Sequence, residues 1–131
     1  MKIALGLGCD RNTPAATIAQ CIAEALSVCG ATLADVQSVA SIDLKADELG
    51  LLALAAEHGW TIHFYPAAAL AAVDVPNPSE TVRKYTGTPS VSEAAALLAA
   101  NADKTHLIIE KHKLRGPYGR NATVSIARIP L

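Results

Sequence analysis

The sequence predicts an α/β fold, a single three-layer domain spanning 1–131 in which helices flank a mixed, mainly parallel central sheet of about five strands. Three observations carry this expectation. Through the first half of the chain, apolar strand-like runs alternate with stretches of helical period. Each intervening helix is long enough for the crossover that parallel neighbours require. The last two strand-like runs stand too close together for a crossover, which makes them an antiparallel pair.

Taken in order, Lys2 to Leu7 reads as a buried strand that runs into Gly6-Leu7-Gly8-Cys9-Asp10-Arg11-Asn12-Thr13-Pro14. The two glycines permit a tight turn and close backbone approach. Thr13 is placed as the cap of the next helix and Pro14 as its first residue. Ile18, Cys21, Ile22, Ala25, Leu26 and Cys29 then fall on one helical stripe, and Gly30 stops it. A short segment from Leu33 leads to a second strand, Val36 to Ile42; a second helix is expected from Asp43 or Leu44 to His58, ended by Gly59. Trp60 to Tyr65, rich in β-branched and aromatic residues, is the third strand.

The second half is more helical. Pro66 to Val73 predicts a short alanine-rich helix. Asn77, Pro78 and Glu80 fit cap, first position and capping-box acid of another, which Gly87 ends. Ser90-x-x-Glu93 repeats that box before a helix over Ala94 to Ala100. Thr105 to Lys111 and Ala122 to Ile129 are the last two strands. The Gly-rich, charged stretch Leu114 to Asn121 between them reads as a mobile loop.

Composition narrows the function classes. With 131 residues, 51% of them hydrophobic, the chain can bury a real core as one domain. A formal net charge of -1 offers no basic surface for nucleic acid or an anionic membrane, so electrostatic specificity must be local. The apolar runs are interrupted well before the roughly 20 residues of a membrane span. Met1-Lys2 leads into a strand-like run and not a signal-peptide core, so a cytoplasmic location is expected. Three cysteines, Cys9, Cys21 and Cys29, are an odd number that favours free thiols.

In an open α/β sheet, ligands gather beyond the carboxyl ends of the strands. Three segments qualify: Gly6 to Thr13, Ser41 to Glu48, and the region after the third strand with the capped starts at Asn77 and Ser90. Arg11 and Lys45 are placed at or just before a helix's first turn, where the macrodipole disfavours a cation by about 0.3–1 kcal/mol unless an anion is bound. The pair therefore points to an anion-binding site. The plainer alternative is a solvated Lys45 neutralised by Asp47 or Glu48.

Familiar cofactor signatures are missing. Gly6-x-Gly8-x-x-Arg11 has Arg where the dinucleotide fingerprint needs its third glycine, and no phosphate-binding G-x-x-x-x-G-K-[ST] occurs. His58, His63, His106 and His112 do not recur at metal-ligand spacing, so neither a metal nor another cofactor is expected. Cys21 and Cys29 read as core residues. Cys9, near a helix start, is either a packing residue or a thiol of lowered pKa. Lys111-His112-Lys113 is either an imidazole set among cations or a solvated strand end.

Four blocks in order carry a family resemblance: Gly6-Leu-Gly-Cys9 with Arg11 and Thr13; Ser41-Ile-Asp43-x-Lys45-x-x-Glu48 with Gly50-Leu51; Asn77-Pro-Ser79 with Gly87 and Ser90-Val-x-Glu93-Ala94-Ala95; and Lys111 with Ala122-Thr123-Val124. The chain resembles the CobE family, which is similar to the C-terminal domain of CbiG, an enzyme of cobalamin (vitamin B12) biosynthesis. The likeness is to the free-standing CobE form. Where that family's first loop often reads Cys-Arg-(Arg/Lys)-Gly, Asp10 and Asn12 stand here.

The resemblance implies a role in corrin biosynthesis. Corrin intermediates are large apolar macrocycles fringed with carboxylates, so a partner needs a concave apolar surface edged with donors and cations. Gly6, Gly8, Cys9, Arg11, Thr13, Lys45, Asn77, Ser79, Ser90, Glu93 and Lys111 are the ligand-binding candidates it implies. The first reading is binding of a corrin-type tetrapyrrole intermediate to assist ring assembly or hand-off. The second is a hydrolase or lyase acting on the ring-contraction lactone, with Asp43, Glu48 or Glu93 as acid or base and Lys45 stabilising an oxyanion. Asp43 and Glu93 also read simply as helix-capping residues. A third reading is an interaction subunit that docks onto a methyltransferase of the pathway.

Overall fold

The computed structural model describes all residues, 1–131. Strands β1 (Ile3–Cys9), β2 (Val36–Ile42) and β3 (Ile62–Tyr65) are parallel neighbours, while β4 (Leu107–Arg115) and β5 (Asn121–Arg128) form an antiparallel hairpin. β5 lies antiparallel to β1, giving the order β3-β2-β1-β5-β4. Only β5 is reversed, so the other four strands end on one edge of the sheet. The predicted mixed α/β architecture is the one observed.

Helices α1 (Ala15–Cys29) and α2 (Leu49–His58) cover one face of the sheet. Short helices α3 (Ala67–Ala71) and α4 (Glu80–Thr86) precede α5 (Ser92–Ala100), which covers the other. Strand alternation explains the division. On β1, Ile3, Leu5 and Leu7 enter the main core with Ile18, Ile22 and Leu26 of α1 and Leu51 and Leu54 of α2. Each such aliphatic side chain contributes about 1.5–3 kcal/mol when fully buried. The opposite face of β1 is small, Ala4 and Gly6, and receives the alanine-rich α5. The contact is so close that a Cβ on Gly6 would fall 1.9 Å from the Ser92 carbonyl oxygen. No helix is long and apolar enough to cross a membrane.

Several expected details differ. β1 continues to Cys9, so Gly6 and Gly8 lie in the strand and pair with Ser125 and Thr123. The turn that follows belongs to 10–13, where Asn12 takes the left-handed conformation at φ 67°. Pro14, not Thr13, occupies the cap position of α1, and the Thr13 hydroxyl donates instead to the Asp10 carbonyl at 2.7 Å. Asp43–Lys45 is a separate 3-10 turn and α2 starts only at Leu49, so neither Arg11 nor Lys45 lies in an α-helix's first turn. The third strand begins two residues later than expected, at Ile62.

The caps of the second half move as well. Ser79, not Asn77, caps α4, its hydroxyl accepting from the Val82 N–H at 3.2 Å. α5 starts at Ser92 with Val91 at the cap. Ser90 makes no capping box, because its hydroxyl donates directly to the Glu93 carboxylate at 3.0 Å. The stretch read as a mobile loop is strand only at its ends, Leu114, Arg115 and Asn121; between them Pro117–Gly119 forms a 3-10 turn, closed where Gly116 N–H donates to the Arg120 carbonyl at 2.8 Å.

Candidate functional site

A cleft of about 520 Å³ opens at the edge where β1, β2, β3 and β4 end, within the roughly 300–1,000 Å³ usual for small-molecule sites. Its existence follows from where α5 begins. That helix covers Gly6, but Gly8, the next residue on the same face of β1, lies beyond it; a Cβ there would find only the Thr123 Cβ, at 3.8 Å. Gly8 and its cross-strand partner Thr123 therefore line an open floor. Ile42 and Leu44 add apolar surface from the end of β2; Val91 and Ser92 contribute the start of α5; Val82 and Tyr85 face in from α4.

The charge around this floor is one-sided. Arg11, Lys45, Lys111 and Lys113 line it, against the single carboxylate of Asp10. The two β4 lysines owe their direction to a bulge. Ile109 pairs with Ile126 and His112 with Val124, so β4 spends one residue more than β5 between these pairs. Ile109 and His112 both face α1, where Ile109 packs on the core and His112 Nε2 meets Glu24 Oε1 at 2.8 Å. Lys111 and Lys113, flanking His112, turn to the cleft. The triplet is thus inside a strand and not at its end.

The cations are not equivalent. Arg11 is held by the β2 side of the site: its Nη1 lies 2.9 Å from Asp47 and 3.0 Å from Glu48, and its Nη2 donates to the Leu44 carbonyl at 2.9 Å. Asp47 and Glu48, which from sequence can neutralise Lys45, are taken by Arg11 instead. Glu48 is 2% exposed, and its other oxygen accepts from the Asn12 N–H at 2.8 Å. This clasp joins the segments after β1 and β2. Lys45, Lys111 and Lys113 take part in none of the protein's ion pairs.

Asp10 is also engaged, accepting from the Asn121 backbone N–H at 2.7 Å and its side-chain amide at 3.0 Å. It ties the end of β1 to the start of β5. Cys9 lines the cleft, but burial pushes its thiol up to about 11 against the pull of Lys45. The lowered pKa considered from sequence is therefore not found: the residue ends a strand six positions before α1 begins, and burial dominates.

Of the residues expected to bind a ligand, Gly8, Cys9, Arg11, Lys45 and Lys111 share the cleft. The structure does not bring the others into its lining. Gly6 is occupied by α5, and Thr13 is 1% exposed and bonded to the Asp10 carbonyl. Ser79 caps α4, while Ser90 and Asn77 both donate to the fully buried Glu93, at 3.0 and 2.7 Å. Of the candidate catalytic residues only Lys45 lines the cleft; Asp43, Glu48 and Glu93 do not. Sequence reasoning missed Lys113, Asn121 and Thr123, and the α4 residues Val82 and Tyr85. The i, i+2 spacing of Lys111 and Lys113 was the available signal for the first.

Comparison with known proteins adds the family. The profile described as "Cobalamin synthesis G C-terminus" matches residues 3–127. A protein named "Cobalt-precorrin-5A hydrolase" from Priestia megaterium is 38% identical over 128 residues, covering 98% of this chain. The chain spans only 32% of that relative's length. "Protein CobE" from Sinorhizobium sp. is 40% identical over 111 residues, 83% of this chain and 71% of the relative. The crystal structure of CobE, "a protein from the cobalamin (vitamin B12) biosynthetic pathway", superposes with a TM-score of 0.84 at 32% identity, covering 98% of this chain and 91% of that one. The chain belongs to the CobE and cobalamin synthesis G C-terminus family, and is a cobalamin biosynthesis protein.

Proposed function

We propose that the cleft binds a carboxylate-rich corrin-type intermediate and assists corrin ring assembly or its hand-off between pathway enzymes. The observation that carries this reading is the set of unpaired lysines, Lys45 on one side and Lys111 and Lys113 on the other, around a partly apolar floor. Lysines without acidic partners raise the local potential, and a ligand carboxylate relieves it. Gly8 lets a flat ligand approach the sheet, and the start of α5 offers N–H groups not used within the helix. Thr13, Ser90 and Glu93 support this reading from behind, through hydrogen bonds that hold the rim. The three free thiols suit a cytoplasmic setting.

The test is a titration with a corrinoid bearing free carboxylates, followed by visible absorbance. Micromolar binding that is weakened by Lys45→Ala combined with Lys111→Ala supports the reading. Absence of binding, or unchanged affinity in the double variant, overturns it.

A second reading, hydrolysis of the ring-contraction lactone, is favoured by the name of the Priestia megaterium relative. Lys45 and the α5 N–H groups would stabilise the oxyanion. Asp43, Glu48 and Glu93 lie outside the cleft lining, which leaves the general base unassigned. Incubation with the lactone, monitored for a mass gain of one water, separates turnover from binding.

A further inference from the structure

α4 faces the cleft but is barely attached to the protein. None of its residues is buried, and Tyr85 is 76% exposed. Its hydrogen bonds stay within its own loop: Val82 N–H to Ser79 Oγ, Arg83 Nε to Glu80, and the Thr86 hydroxyl to the Val82 and Thr88 carbonyls. The anchors are at the base. Ser79 N–H donates to the Pro89 carbonyl at 2.8 Å, closing the two ends of the loop on each other. Thr88 and Ser90 are 0% and 1% exposed, and on the other side Asn77 donates to both Glu93 and Glu110.

Between this fixed base and the helix stands Gly87, at φ 82°. The helix has two unlike faces. Thr81, Val82, Tyr85 and Thr86 line the cleft at i, i+1, i+4 and i+5, leaving Glu80, Arg83 and Lys84 directed elsewhere and exposed. An internally bonded helix on a buried base, with no buried side chain of its own, moves as a unit at low cost.

We propose that α4, residues 80–86, forms a flap hinged at Gly87 that closes on the bound macrocycle, Val82 and Tyr85 covering its apolar face while the lysines hold its carboxylates. The flap selects for a flat apolar body as well as for negative charge. This cover rests on the corrin reading of the cleft, whereas the hinge does not need it.

Hydrogen exchange of the ligand-free protein tests the hinge. The α4 amides are expected to exchange at least about a hundredfold faster than those of α5. Equal protection of the two helices overturns the flap, whatever the ligand. Limited trypsinolysis at Arg83 and Lys84, with and without the carboxylate-bearing corrinoid, tests closure: cleavage is expected to slow about tenfold when the cleft is filled. Tyr85→Ala is expected to weaken corrinoid affinity about fivefold and Tyr85→Phe less than about twofold. If the corrinoid binds in a Lys45- and Lys111-dependent way but neither protects the flap nor senses Tyr85→Ala, the cover is wrong and the cleft reading stands. If it does not bind at all, the cleft reading fails and the cover falls with it.

Discussion

Gly6 lies under the first turn of α5, where an added Cβ would meet the Ser92 carbonyl oxygen at 1.9 Å and the Ala96 nitrogen at 2.6 Å. Both atoms are backbone, so the clash cannot be relieved by a rotamer change; α5 must lift from the sheet. Gly6→Ala is expected to destabilise the protein by about 2–3 kcal/mol, at the upper end of ordinary overpacking. Gly8→Ala, with its nearest neighbour at 3.8 Å, is expected to stay within about 0.5 kcal/mol of wild type. Urea unfolding of the two variants provides the comparison.

Cys21 is a buried thiol and Cys9 a half-buried one. Burial raises Cys9 to about 11 and Cys21 to about 12, and the nearby Glu24 charge adds to the rise at Cys21. Alkylation of Cys9 by iodoacetamide should accordingly be slow at pH 8 and keep accelerating toward pH 11. A group whose pKa is raised by folding contributes stability that is complete below its unfolded value and is lost as pH rises through the folded one. The fold should therefore weaken between about pH 9 and 11, and Cys9→Ser should flatten that limb.

At acid pH the sensitive contact is the one between α1 and β4. The hydrogen bond from His112, followed by that from Gln20, holds the Glu24 carboxyl below its usual range. A depressed carboxylate pKa contributes stability above the unfolded value and loses it as pH falls through the folded one. Glu24→Gln should lower stability near neutrality, where that contribution is complete, and flatten the loss that begins as pH drops below about 4.5, so that variant and wild type converge in acid. Thermal melts across pH 3 to 7 would show it; superimposable acid limbs for variant and wild type would dismiss the contact.

The elements legible in the sequence were those with strong local patterns. The α1 stripe buries Ile18, Cys21, Ile22, Ala25 and Leu26 as its period implies, and β2 has the bounds its flanks suggest. Gly6 and Gly8 misled because glycine serves both turns and close packing, and only the arrival of α5 from 86 residues away shows which applies. Asn77-Pro-Ser-Glu80 holds two overlapping cap choices, and the bond from Ser79 N–H to Pro89, which is tertiary, favours the second. The site was legible as a meeting of strand ends, but not as a division of labour among its cations. That Arg11 takes Asp47 and Glu48 while Lys45 stays free depends on packing between segments about 36 residues apart, and the β4 bulge leaves no mark in residue types.

That division of labour yields the sharpest test of the site. Arg11 is half-exposed, 51%, yet engages Asp47, the buried Glu48 and the Leu44 carbonyl, so its removal strips the Glu48 carboxylate of its cation. Arg11→Ala is expected to destabilise the fold more than any of the lysine replacements, because it leaves the buried Glu48 carboxylate without its cation, although water reaching the guanidinium limits the loss. Lys45→Ala, Lys111→Ala and Lys113→Ala break no ion pair and should each unfold within about 0.5 kcal/mol of wild type. Ligand affinity should follow the opposite order: each lysine variant weakens corrinoid binding and flattens its dependence on salt, since an exposed cation acts through a field that ions screen over about 8–10 Å. Urea unfolding and corrinoid titration at two salt concentrations measure both quantities on the same four proteins. A lysine variant that loses stability, or an Arg11→Ala protein that is stable but cannot bind, would reverse the assignment of clasp and recognition.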